Sequence, residues 1–211
     1  MFLNILIRKT KDYIYAYTNI SNLKIKDEVL VETEHGIEIG LVQSIDKIKK
    51  LNIQKNKKNM SKILRKLTKN DRKKIISNNI KNIKVKSLII KKITNDNLCM
   101  KLICVSYTFD CSKLFVYYTA ETRVDFRKFV KELGYLLKTR IQMVQVGIRD
   151  EAKIIGGIGI CGKILCCQSF LKSFDSITIN MAKRQGLSLN TTKLSGCCGR
   201  LKCCISFEKK I

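Results

Sequence analysis

The chain has 211 residues, and 45% of them are hydrophobic, so it is long enough to bury a core without support from disulfides. It contains no run of 18 apolar residues, which excludes an ordinary membrane-spanning helix. The N-terminal stretch MFLNILIRKT lacks the small-residue cleavage site of an export signal. We therefore expect a cytoplasmic protein whose ten cysteines are reduced.

The formal net charge of +25 is concentrated in one segment. Residues 47–92 contain 18 lysines and arginines and a single acid, so they carry +17 of the total. Such a field favours binding of a polyanion such as RNA, DNA or an acidic protein surface. The alternative is drift toward lysine at neutral positions, since only nine of the 42 basic residues are arginine. The candidate nucleic-acid residues are Lys57, Lys58, Lys62, Arg65, Lys66, Arg72, Lys73 and Lys74.

Short alternating segments predict a small β unit over residues 1–46, with turns at Asn22, Gly36 and Gly40. His35, the only histidine, falls in one of these turns and is assigned no chemistry. Residues 47–97 are predicted to be a Lys-rich helical segment or linker. One helix would begin near Asn59, and a second, short helix would follow a capping box. The two residues of that box are Thr68 and Asp71.

Residues 98–211 are predicted to form an α+β core that carries the cysteine-rich motifs, although the whole chain is also compatible with one continuous domain. LCMKLICVSYTFD and KLFVYYTA read as a hairpin of two strands, in which Cys99 and Cys104 are expected to be buried. A helix capped by Thr122 and Asp125 and the strand RIQMVQVGI follow. The fold class is thus α+β, with a small N-terminal β unit, a ferredoxin-like β-β-α-β core and a Cys-rich C-terminal segment.

Two copies of one heptapeptide dominate the C-terminal third of the chain. CGKILCC spans residues 161–167 and CGRLKCC spans residues 198–204, so equivalent positions are 37 residues apart. A catalytic thiolate needs a nearby base, and one histidine offers little. Thiols without a base favour a soft metal centre, either Zn²⁺ or an iron–sulfur cluster, and the spacing does not distinguish them. Burial as core residues is the alternative. The candidate ligands are Cys161, Cys166, Cys167, Cys198, Cys203 and Cys204.

Each motif ends in two adjacent cysteines. On an extended backbone neighbouring side chains point in opposite directions, which predicts one ligand and one packing residue from each pair. Each motif would then supply two ligands. The two motifs would form one four-thiolate site together, or each would form half of a site completed by another protein.

Several segments resemble the YaaT/RicT family of bacterial regulators. They are GGIGICGKILCCQSFL, MAKRQGLSLN and KLSGCCGRLKCCISFE, with TAETRVDFRKFVKEL and TRIQMVQVGIRDEAKIIGGIG upstream. The resemblance is strongest from about Cys104 to Glu208 and weakest in residues 47–92. The family's cysteine pattern falls on the six candidate ligands, whereas Cys197 stands where the family usually has an apolar residue, so we do not expect Cys197 to be a ligand.

The resemblance implies a 4Fe–4S cluster bound by these cysteines and a complex with small helical partner proteins of the RicA/RicF type. It also implies joint action with the membrane-anchored endoribonuclease RNase Y in processing particular transcripts, with a link to sporulation. We therefore predict a cytoplasmic regulatory adaptor that is not an enzyme and modulates mRNA processing. The alternative is a direct RNA- or DNA-binding protein that uses residues 47–92 and contains a structural zinc site.

Overall fold

The computed structural model describes residues 1–8, 12–46, 61–171, 174 and 176–208. The chain divides into two compact units, Met1–Gln145 and Val146–Ile211. The first unit contains two β-sheets and two helices, and the second is built from short helices, so the predicted α+β class is confirmed. The predicted domain boundaries near residues 46 and 97 stay predictions.

The first five strands form a closed barrel in the order β1-β2-β5-β3-β4. Their bounds are β1 (Phe2–Ile7), β2 (Tyr13–Tyr17), β3 (Glu28–Thr33), β4 (Gly36–Asp46) and β5 (Ser61–Lys66). Alternate side chains of each strand enter the barrel, because successive residues of a strand face opposite sides. The barrel core consists of Leu3, Ile5, Ala16, Leu23, Val29, Val31, Val42 and Ile63.

Strand β5 corrects the helix predicted from Asn59, a residue that, like Met60, lies outside the described part of the chain. Ser61–Lys66 pairs parallel with β2 and antiparallel with β3. Ile63 is buried in the barrel core, whereas its neighbour Leu64 is exposed. This alternation is expected of a strand, whereas the predicted helix would have placed both residues on one face. Pairing with two strands that are distant in sequence decides the structure of this short segment.

The predicted capping box is confirmed, but the helix that it opens is long. Helix α1 (Lys69–Asn95) has Thr68 as its N-cap, and the Thr68 and Asp71 side chains accept hydrogen bonds from each other's backbone N–H groups. Arg65 of β5 pairs with the Asp71 carboxylate. The helix is stable despite its many lysines because it packs against the neighbouring sheet, where Val85 and Ile89 are buried.

That sheet has three strands in the order β6-β7-β8. Strands β6 (Lys101–Tyr107) and β7 (Lys113–Thr119) form the predicted hairpin, and α2 (Arg127–Leu137) leads to β8 (Arg140–Gln145), which runs parallel to β7. The predicted β-β-α-β order is therefore present, while its assignment to the ferredoxin-like class stays a prediction. Phe129 and Leu133 of α2 complete the core over this sheet.

Two local predictions in this region are wrong. Helix α2 begins at Arg127 after Phe126, without a side-chain cap, so Thr122 does not open it. The exposed Cys99 precedes β6 and is not buried, and Cys104 within β6 is half-buried. The bulge where β6 passes from Leu102 to Cys104 shifts its register, so simple alternation fails there.

The second unit contains five short helices among the described residues. They are α3 (Ile148–Ile155), α4 (Cys166–Ser169), α5 (Ile179–Arg184), α6 (Thr191–Leu194) and α7 (Cys203–Glu208). Ala182, Leu194 and Ile205 form its small apolar core. Across the described ranges of both units, no helix combines the length and the apolar character needed to cross a bilayer.

Candidate metal centre

The first cysteine motif is held in a tight backbone knuckle. Ile158, which precedes the motif, and Ile164, which lies within it, form an isolated antiparallel bridge. The Gly159 N–H donates to the Lys163 carbonyl at 2.8 Å, and the Gly162 N–H donates to the Gly159 carbonyl at 2.9 Å. These bonds turn the chain back on itself directly after Cys161.

The second motif repeats this knuckle bond for bond. Ser195 and Leu201 form the equivalent bridge. The Gly196 N–H donates to the Arg200 carbonyl at 2.7 Å, and the Gly199 N–H donates to the Gly196 carbonyl at 3.0 Å. Each residue lies 37 positions after its counterpart, so the sequence repeat is also a structural repeat.

The backbone explains why glycine follows the first cysteine of each motif. Gly162 has a φ of +76° and Gly199 a φ of +73°. These values lie in the left-handed region, where a side chain would clash with the backbone. The glycine in CG is therefore required by the turn of the knuckle and need not contact a ligand.

The two adjacent cysteines of each motif begin a helix, which corrects the prediction of extended backbone at these pairs. Helix α4 begins at Cys166 and α7 begins at Cys203. Neighbouring side chains of a helix are separated by about 100° and do not face opposite sides. Both members of each pair consequently line the same cavity, so the division into one ligand and one packing residue does not follow.

A cavity of about 140 Å³ lies between the two motifs. It is several times larger than the roughly 30 Å³ that a water molecule occupies in the liquid. All six predicted ligands line it, together with a seventh thiol that sequence analysis had set aside. The cysteines on its wall are Cys161, Cys166, Cys167, Cys197, Cys198, Cys203 and Cys204.

Direct contacts connect the residues that flank the two motifs. The rings of Phe170 and Phe207, which are also 37 positions apart, meet edge to face with 4.9 Å between their centroids. Contact between equivalent residues is what a two-fold relationship produces. In addition, the Cys197 thiol donates to the Ile158 carbonyl at 3.8 Å. Cys197 thus has a structural contact of its own in the second knuckle.

The thiols on the cavity wall differ in their surroundings. Cys167 is 8% exposed, while Cys161 and Cys197 are exposed to solvent. Burial raises the pKa of the Cys167, Cys203 and Cys204 thiols, because desolvation penalises the thiolate. The Arg149 guanidinium opposes this increase in pKa at Cys167 and Cys203.

Arg149, a residue that sequence analysis missed, also lines the cavity. One of its terminal nitrogens donates to the Leu201 carbonyl at 3.4 Å, and its guanidinium lies 5.0 Å from the centre of the Phe174 ring. Its Nε is buried, and no described residue accepts a hydrogen bond from it. A buried donor without a partner is costly, so this position favours an anionic acceptor. In the sequence, Arg149 was marked only by its position ahead of the first cysteine motif.

The donor set fits a thiolate-ligated metal or cluster. The walls supply soft sulfur ligands, and four thiolates around Zn²⁺ carry a net charge of −2, which suits the cationic guanidinium of Arg149 on the same wall. Among the described residues, however, no three ligating side chains lie close enough together to hold a metal ion. The thiols surround a common space without converging on one point.

The predicted nucleic-acid residues are divided between several environments. Lys57 and Lys58 lie outside the described residues. Lys62, Arg65 and Lys66 lie on β5, whereas Arg72, Lys73 and Lys74 lie in the first turns of α1.

Several of these basic side chains have partners within the first unit. Arg65 pairs with Asp71, Lys66 with Asp27 at 2.6 Å, and Arg72 with Glu28 at 3.2 Å. The Lys74 ammonium lies 4.7 Å from the centre of the Phe109 ring. Lys62 and Lys73 are exposed. Part of the predicted charge therefore contributes to internal ion pairs.

Two family models match the chain. The PSP1 C-terminal conserved region matches residues 61–146, which run from β5 through β8, and the third domain of PSP1-like proteins matches residues 176–211. The chain is also similar to the stage 0 sporulation protein YaaT of Bacillus subtilis (strain 168), with 44% identity over 172 residues. The alignment covers 80% of this chain and 60% of that relative's length. No solved structure matches significantly.

Proposed function

Because the chain belongs to the YaaT family, we propose that it is a regulatory adaptor, and not an enzyme, whose two cysteine motifs together hold one iron–sulfur cluster. The observation that carries this proposal is the single cavity lined by seven cysteines from both motifs. Iron–sulfur clusters are held by cysteine thiolates, and this cavity offers more than the four that such a cluster needs.

The repeated knuckles suggest how the ligands would be chosen. Four ligands drawn equally from two equivalent motifs form two equivalent pairs. Cys161 and Cys198, which open the knuckles, would be one pair, and the second pair would come from the helix starts at Cys166 and Cys203 or the residues that follow them. Ligation would require these thiols to rotate toward a common point, so metal binding would also order this unit.

Arg149 would complete the site by donating its buried Nε–H, which has no acceptor within the described part of the chain, to a ligated sulfur. When bound, the cluster would supply one-electron redox chemistry, and hydrogen bonds to its sulfurs tune the potential of such a centre. The protein's own contribution is to supply the thiolates, to position the cationic donor and to shield the buried thiol of Cys167 from solvent.

The regulatory role follows from the family. The similar Bacillus subtilis protein is a stage 0 sporulation protein, and the family resemblance implies action on mRNA processing by RNase Y through small helical partner proteins of the RicA/RicF type. In this proposal the cluster unit supplies a redox-sensitive or structural element, and the first unit supplies a surface for partners. The location would be the cytoplasm.

A second candidate is direct RNA or DNA binding with a structural zinc site. It is favoured by the exposed Lys62 and Lys73 and by the fact that four thiolates suit zinc as well as iron. A binder that neutralises six to ten phosphates would lose affinity by about 10³ to 10⁵ between 50 and 200 mM salt. This steep salt dependence distinguishes direct nucleic-acid binding from adaptor function.

The test is anaerobic purification of the full chain, followed by analysis of iron, acid-labile sulfide and zinc. We expect brown protein containing iron and sulfide, and we expect the double substitution Cys161→Ser with Cys198→Ser to abolish both. Cys197→Ser is the matched control, because Cys197 lines the same cavity but falls outside the family pattern. Zinc without sulfide would favour the second candidate, and metal-free protein that keeps its fold would overturn both.

A further inference from the structure

Helix α1 has a second apolar face, directed away from the core. Ile76, Ile80, Ile83 and Ile90 are 61%, 52%, 71% and 46% exposed. Their spacings of four, three and seven residues are those of a heptad seam, with Ser87 at the one position of the seam that is not apolar.

The two faces of α1 lie on opposite sides of the helix. At about 100° per residue, the four exposed isoleucines fall within roughly 80° of one another. They are centred opposite the face that holds the buried residues Asp71, Asn78, Val85 and Ile89. The inner face alone accounts for the packing of α1 in the first unit, so the outer seam is not explained by the fold.

The seam has a cationic border. Helix α1 contains nine lysines and arginines and a single acid, Asp71, which is buried and paired with Arg65. Lys84 and Lys91 lie beside the seam on one edge and Lys86 lies on the other. In coiled coils, charges at these flanking positions select the partner.

We propose that this face of α1 docks an acidic amphipathic helix of another protein. Such a helix would cover the isoleucines with its own apolar seam and would place carboxylates against the flanking lysines. A second copy of α1 would instead oppose lysines with lysines. Residues 47–60 of the same chain contain six lysines and no acid, which makes that segment an unsuitable occupant.

The same apolar seam argues against nucleic acid as the occupant of this face of α1. Phosphates would satisfy the lysines but would leave four isoleucines exposed to water. α1 also lacks the aromatic side chains on which unpaired bases stack. The proposal concerns the first unit and involves none of the cysteine motifs, so it stands or fails separately from the cluster.

The experiment measures binding of a fluorescent synthetic helix of about four heptads to the full chain by anisotropy. The probe has leucine at its seam positions and glutamate at its flanking positions, and a second probe has lysine in place of glutamate. We expect the acidic probe to bind and the basic probe not to bind. Substituting Ile80→Asn and Ile83→Asn together should weaken binding of the acidic probe by about tenfold or more. The control Ile25→Asn, at an exposed position of the first unit outside α1, should leave binding unchanged.

Three results would overturn the proposal. Equal binding of the acidic probe by the double variant would show attraction to the lysines alone, and absence of binding would show that the seam does not recognise such a helix. A single-stranded RNA oligonucleotide is tested in parallel. Tight RNA binding that excludes the acidic probe and is unaffected by the isoleucine substitutions would assign this face to nucleic acid instead. Circular dichroism of each variant confirms that α1 is intact.

Discussion

Phe170 and Phe207, each three residues after its cysteine motif, contact each other, with their ring centroids 4.9 Å apart. Residues that repeat along the chain thus meet in the folded protein. This contact indicates that the motifs form one structural unit and are not two independent sites.

The aromatic contact should be measurable as coupling between the two phenylalanines. We expect Phe170→Leu and Phe207→Leu to destabilise the second unit, with a coupling free energy of about 0.5–1.5 kcal/mol in a double-mutant cycle. The measurement is urea unfolding of the two single variants and the double variant. Strictly additive effects would show that the rings do not interact and would argue against a paired arrangement.

The knuckle glycines should tolerate no side chain. Gly162→Ala and Gly199→Ala each force a side chain into left-handed backbone, at a cost of about 1–2 kcal/mol. Gly134→Ala is the matched control. Gly134 lies within α2 and has open space around it, so alanine there should raise the free energy of unfolding by roughly 0.5–1 kcal/mol. The measurement is an unfolding curve for each of the three variants. Gly162→Ala and Gly199→Ala should lower the free energy of unfolding, whereas Gly134→Ala should raise it.

Asp71 should make the first unit sensitive to acid. A hydrogen bond from Arg65, followed by one from the Thr68 backbone, holds the Asp71 pKa well below its ordinary value of 3.8. A depressed pKa contributes stability above the ordinary value, and this contribution is lost as pH falls through the folded-state value. The free energy of unfolding should therefore fall below about pH 5 in the unmodified chain. The Asp71→Asn variant should be less stable at neutral pH, and its free energy of unfolding should depend less steeply on pH. If the free energies of unfolding of the variant and the unmodified chain ran parallel across this pH range, Asp71 would not be the source of the acid sensitivity.

Arg149 should tune the bound cluster. Replacing it with glutamine removes a positive charge and a donor next to the thiolates, which destabilises the more negative reduced state. We expect Arg149→Gln to lower the reduction potential and to shorten the lifetime of the cluster in air, measured by spectroelectrochemistry and by loss of visible absorption. Arg200→Gln is the control, because Arg200 is exposed and contributes its carbonyl to the knuckle. If Arg149→Gln and Arg200→Gln had equal reduction potentials, Arg149 would not influence the cluster.

Local patterns predicted the features that local chemistry controls. The Thr68 and Asp71 capping box, the β6–β7 hairpin and the equivalence of the two motifs are all readable from neighbouring residues. Strand β5 was missed because its identity depends on pairing with β2 and β3, and the six residues fit a helical pattern equally well. The length of α1 was missed because packing outweighs repulsion among its lysines.

The site was predicted in composition but not in geometry. The six candidate ligands were named from spacing and resemblance, and all six line one cavity. The helix starts at Cys166 and Cys203 were not anticipated, since nothing local marks where a helix of four or six residues begins. Arg149 was missed because its importance depends on a buried nitrogen whose environment only the folded chain defines.

If both motifs of one chain hold a single cluster, native mass spectrometry of anaerobically purified protein, combined with iron and sulfide analysis, should detect it on the monomer. We expect a monomeric mass that includes four iron and four sulfide, and loss of the whole cluster when either Cys161→Ser or Cys198→Ser is introduced. A cluster found only in a dimer or with a second protein, or one that survives either substitution alone, would show that the two motifs of one chain do not hold it together.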